Sequence, residues 1–98
     1  MSNPINDKAE VVIDFPNKFY HGTFGRGSSF NVKADAEGVH VHLDRTSGEK
    51  RHVTFHIQYA LLADLLTASA EAISNIDKLD AHHKKRIREA AQKLLEIE

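Results

Sequence analysis

Residues 39–57, VHVHLDRTSGEKRHVTFHI, alternate apolar and polar side chains in two runs separated by a polar gap. Val39, Val41 and Leu43 alternate with His40, His42 and Asp44; then Val53, Phe55 and Ile57 alternate with His52, Thr54 and His56. Successive side chains of a strand point to opposite faces. The pattern therefore predicts a hairpin with one apolar face and one face carrying four histidines, His40, His42, His52 and His56. The apolar face has to be covered, so the remaining chain is expected to extend this sheet and to lie over it.

The turn suggests a register. A three-residue loop Thr46-Ser47-Gly48 puts glycine where a left-handed conformation is needed. Arg45 then faces Glu49, Asp44 faces Lys50, His42 faces His52, Val41 faces Val53, His40 faces Thr54 and Val39 faces Phe55. A slip by one residue would send the imidazoles into the core, which specifies which face is which.

Around this hairpin, residues 1–8 are polar with Pro4 among them and read as a mobile arm. Val11, Ile13 and Phe15 mark a strand that stops at Pro16, and Pro16-Asn17 is a turn. Lys18 to Phe24 is an aromatic-rich strand whose buried face the pattern does not decide. Gly25 to Ser28 is a flexible turn; Phe30, Val32 and Ala34 line a further strand, and the loop Asp35-Ala36-Glu37-Gly38 pairs Ala34 with Val39. From Tyr59 the period lengthens: Leu62, Leu65, Leu66, Ser69, Ile73 and Ile76 form a helical stripe. Asp77 is placed to cap a second helix, with Asp80 in the capping-box position and a stripe of Ile87, Ala90, Ala91 and Leu94. A single helix of nearly forty residues also fits, because Leu62, Leu66, Ser69, Ile73, Ile76, Asp80, His83, Ile87, Ala90, Leu94 and Ile97 step by fours and threes.

The expected fold is α+β: an antiparallel meander of four to five strands over residues 10–57, then two C-terminal helices packed on one sheet face, all in one domain from residue 9 to 98. With no cysteine there is neither a disulfide nor a thiolate metal site. No apolar run reaches the roughly 18 residues of a membrane span, and nothing at the start reads as a signal peptide, so the cytoplasm is the default expectation. The formal net charge of −1 lacks the basic excess of a dedicated duplex-DNA binder. Any nucleic-acid contact must use a local patch.

Three clusters carry chemistry. His40, His42 and His52 on paired strands can supply three imidazoles to Zn²⁺ with an open position. As a face rich in imidazole, the same surface gains positive charge as the pH falls through about 6. Arg26, amid Gly22, Gly25 and Gly27, can meet an anion, but the stretch fits neither the Walker nor the dinucleotide pattern. Lys84, Lys85, Arg86 and Arg88 form a basic run on the second helix, partly neutralised by Glu89. No nucleophile sits in an elbow context, and no paired carboxylates flank a cleft signal.

The passage from the last strand straight into an amphipathic helix, HVTFHIQYALLADLL, resembles the transcriptional-coactivator family of single-stranded-DNA-binding dimers, in which four strands precede one helix. The likeness spans about Ser29 to Ile76, and the chain departs from it in having few basic residues on the strands and a second helix. The expected function is a small non-enzymatic binding module, homodimeric, that binds single-stranded nucleic acid through Arg26, His40, His42, His52, Lys84, Lys85, Arg86 and Arg88. The alternatives are an assembly or protein-interaction subunit using the C-terminal helix, and a His-ligated metal protein.

Overall fold

The computed structural model describes residues 2–98. The fold is α+β, six strands followed by two helices: β1 (Asn3–Pro4), β2 (Ala9–Phe15), β3 (Lys18–Phe24), β4 (Ser28–Ala34), β5 (Gly38–Arg45), β6 (Arg51–Gln58), α1 (Tyr59–Ser74) and α2 (Ala81–Leu95). The chain forms two compact units, one ending at Leu62 and one running from Ala63 to Glu98.

In the first unit all strand pairing is antiparallel, as expected, but the strands divide between two sheets. One has the order β1-β4-β5-β6 and the other is the β2-β3 hairpin. The meander breaks between β3 and β4. There Ser28 N–H donates to the Gly25 carbonyl at 2.9 Å, and the β4 edge that β3 would have taken is occupied by β1, with Asn3 opposite Phe30 and Pro4 opposite Ser29. Residues 3–4, expected in an arm without regular structure, are thus an edge strand, a position that tolerates proline. Freed from the larger sheet, β2-β3 packs against its apolar face. Val11, Phe24 and Leu43 form the buried core, with Ile5, Ala9, Ile13, Tyr20, Val41 and Val53 around them. This settles the face of β3: Tyr20, Gly22 and Phe24 point inward, while Phe19 is exposed.

The β4-β5 register is the expected one, Ala34 opposite Val39 and Phe30 opposite Leu43. The β5-β6 register is not. Arg45 faces Arg51, Asp44 faces His52, His42 faces Thr54, Val41 faces Phe55 and His40 faces His56. The loop is five residues, Thr46–Lys50, instead of three, which shifts every partner by two. Tertiary contact holds it open: the Thr46 N–H and hydroxyl both donate to the Gly27 carbonyl, at 3.1 and 2.9 Å. Gly48 still takes the left-handed conformation, φ 72°, expected of it. Because the shift is even, apolar and imidazole faces stay as they were. The two facing guanidiniums are eased by Glu49, 2.8 Å from Arg51, and by the Tyr20 ring, whose centroid lies 4.9 Å from the Arg51 guanidinium carbon.

The second unit holds most of α1 and all of α2, so the long-helix reading fails. The break falls at residues 75–80, and the N-cap of α2 is Asp80, whose carboxylate accepts from His82 N–H at 2.7 Å. Asp77, expected to cap, does not. Neither helix has a buried residue.

Candidate functional site

The outward face of β4-β5-β6 carries two polar clusters, both produced by the observed register. At one end His40 and His56 are directly opposed, their rings stacked 4.0 Å apart at 11°. His40 Nε2–H donates to Asp35 Oδ2 at 2.9 Å. Asp35 begins the β4-β5 loop, and its other oxygen accepts from Glu37 N–H (2.8 Å) and Gly38 N–H (3.0 Å), an Asx turn that ties the carboxylate to the backbone. The Tyr59 hydroxyl donates to the Asp35 carbonyl at 2.6 Å, and Tyr59 N–H to that of Glu37 at 3.3 Å. The loop is thus pinned from the strand end of α1. One donor atom each from Asp35, His40 and His56 lie within 4.8 Å of one another.

The second cluster is a chain of hydrogen bonds. His52 Nδ1 bonds Asp44 Oδ1, Thr54 Oγ1 lies 2.8 Å from His52 Nε2, and His42 Nδ1 lies 3.1 Å from Thr54 Oγ1. With the His52 proton on Nδ1 facing the carboxylate, Thr54 donates to His52 and accepts from His42, so all donors point toward Asp44. Asp, His and hydroxyl occur here in the order of an activated nucleophile. The Thr54 oxygen, however, is held between two imidazoles and serves as a bridge. Beside Asp44 and His52 is a depression of about 360 Å³, lined also by Arg45, Lys50 and Arg51.

The expected zinc triad is therefore corrected. His40 shares a cluster with His56 and Asp35, while His42 and His52 belong to the other chain, because five loop residues rather than three decide which imidazoles meet. Asp35 is a site residue that the alternation of the strands does not mark. The available signal was an Asp opening a four-residue hairpin loop whose next strand presents His40. Arg26 lies exposed in the β3-β4 turn of the first unit, and Lys84, Lys85, Arg86 and Arg88 lie on α2 in the second. The residues expected to form one anion surface are divided between two units.

The Asp35 carboxyl is pulled down from its ordinary 3.8 to about 2, first by the His40 hydrogen bond and then by the Glu37 and Gly38 N–H groups. A depressed acid stabilises the fold fully above its unfolded value, and that contribution is lost as pH falls toward the folded value. We expect unfolding stability to drop between about pH 4 and pH 2 more steeply in the native chain than in Asp35→Asn, whose amide still accepts from the backbone. Urea titrations across that window check it; identical acid profiles would refute the assignment.

The chain matches no protein-family model, no curated protein and no solved structure, so the likeness to the coactivator family finds no counterpart there. No helix among the described residues is long and apolar enough to cross a membrane.

Proposed function

We propose that this protein is a small non-enzymatic binding module that works as a homodimer, its helical unit closing on a second copy of the chain. The carrying observation is that neither helix buries any residue, although both have apolar stripes. Leu66, Ile87 and Leu94 each remain close to half exposed, at 46%, 46% and 47%. Over its whole length α1 has only two charged residues, Asp64 and Glu71, and a helix that apolar is ordinarily covered.

Charge favours a second copy as the cover. The α1 charges are both acidic, whereas α2 carries Lys84, Lys85, Arg86, Arg88 and Lys93 against Glu89 alone. Setting α1 of one copy beside α2 of the other joins apolar stripes and opposite charges at once. Between the helices a hollow of about 330 Å³, with Ile73, Ile76, Leu79 and Ile87 in its wall, is of a size to take an apolar side chain of the partner. The alternative reading, single-stranded nucleic acid met by Arg26, the histidines and the Lys84–Arg88 run, draws on residues of both units.

Sedimentation equilibrium tests this. The expected result is a dimer of the 11.0 kDa chain at micromolar concentration, with Leu65→Asp/Leu66→Asp weakening it about 100-fold or more. Lys84→Glu/Arg88→Glu should weaken it too, and Asp64→Lys/Glu71→Lys should restore it in the same chain. A monomer at every accessible concentration would overturn the proposal, and amide protection along α1 in that monomer would show that the chain covers itself.

A further inference from the structure

We propose that Asp35, His40 and His56 form a binding site for one divalent transition-metal ion of the Zn²⁺ type, at the α1 end of the imidazole face. Two neutral nitrogens and a carboxylate oxygen make a donor set suited to zinc, with room for water or a ligand at a further position. The three donors come from a hairpin loop and two adjacent strands and already lie within 4.8 Å of one another. Ligands in a tetrahedral site with bonds of about 2.0–2.2 Å sit roughly 3.4 Å apart. The exposed His56 ring can close the difference by rotating.

The carboxylate is prepared for the role. Its Oδ1 is fixed by the Glu37 and Gly38 N–H groups, and this leaves Oδ2 aimed at His40 Nε2, 2.9 Å away. Hydrogen bonds of this type orient a ligating carboxylate. A cation would take the place of the proton now between Oδ2 and Nε2, and that proton would move to His40 Nδ1, which keeps the ring neutral. Of the neighbouring imidazoles, His52 has both nitrogens engaged, by Asp44 and Thr54, and His42, bonded to Thr54 through Nδ1, belongs to no group of three close donors among the described residues.

The test is titration of the full chain with Zn²⁺ by calorimetry, and with Co²⁺ by visible absorption. One ion per chain is expected, with His56→Gln weakening binding at least about tenfold and His42→Gln changing it by less than about twofold. His56 makes no loop hydrogen bond among the described residues, so its loss separates a metal ligand from a mere partner of the Asp35–His40 pair. Imidazole ¹⁵N shifts of the unmodified chain give the same answer without a variant: His40 and His56 should move on adding Zn²⁺ while His42 and His52 stay. Absence of Zn²⁺ binding at millimolar concentration, equal loss in His42→Gln, or shifts confined to His42 and His52 would each overturn the site.

Discussion

Phe24→Ala is expected to lower the unfolding free energy by about 3–5 kcal/mol, the range for removing a fully enclosed phenylalanine. Phe24 is 0% exposed and is the largest fully buried side chain of the described residues. It sits on the inner face of β3, opposite Ala9, and joins the two sheets through Val11 and Leu43. Among the described residues only these three hydrophobic residues are buried, so few neighbours can move into the hole. Against the 5–15 kcal/mol typical of a whole domain, the first unit would sit close to its unfolding threshold. Urea unfolding followed by circular dichroism at one fixed chain concentration measures it, since a dimer's apparent stability depends on concentration. A loss below about 1 kcal/mol would mean that the two sheets are not joined through this ring.

Gly38→Ala is expected to destabilise the fold by about 3 kcal/mol, the upper end of the usual overpacking cost. Gly38 is buried and faces Gln58 across the β5-β6 ladder. A methyl group there would collide with the Ile57 carbonyl oxygen and lie 2.8 Å from Gln58 Cα and 2.9 Å from the Ile57 carbonyl carbon. These are backbone atoms of a paired strand, and they cannot swing aside as the end of a long side chain can. The alternative is for β6 to move away from β5, which would separate His56 from His40 and loosen the loop that holds Asp35. Faster amide exchange at Ile57 and Gln58, with the lost stability, is the expected record of that. A variant within about 0.5 kcal/mol of the native chain would show that the close approach is not required.

Reading the period along the chain recovered the strand-to-helix order, which residues of β5 and β6 share a face, and the β4-β5 register. It missed the partners of His40, His42 and His52, because an alternation of two is unchanged when one strand slides by two. It also missed the separation into two sheets, since alternating residues look alike whether consecutive strands lie side by side or face to face. Asp77 and Asp80 are equally good caps as residue types, and only the start of the helix at Ala81 chooses between them.

What the amino-acid order alone determined here is local: which side chains share a face, where the period changes from strand to helix, and that four imidazoles gather on one side of a hairpin. Which of those imidazoles meet was decided by tertiary contact, the Gly27 carbonyl holding Thr46 and so lengthening the loop to five residues. Side-chain direction follows from neighbouring backbone angles, whereas loop length and strand pairing depend on atoms far apart in the chain.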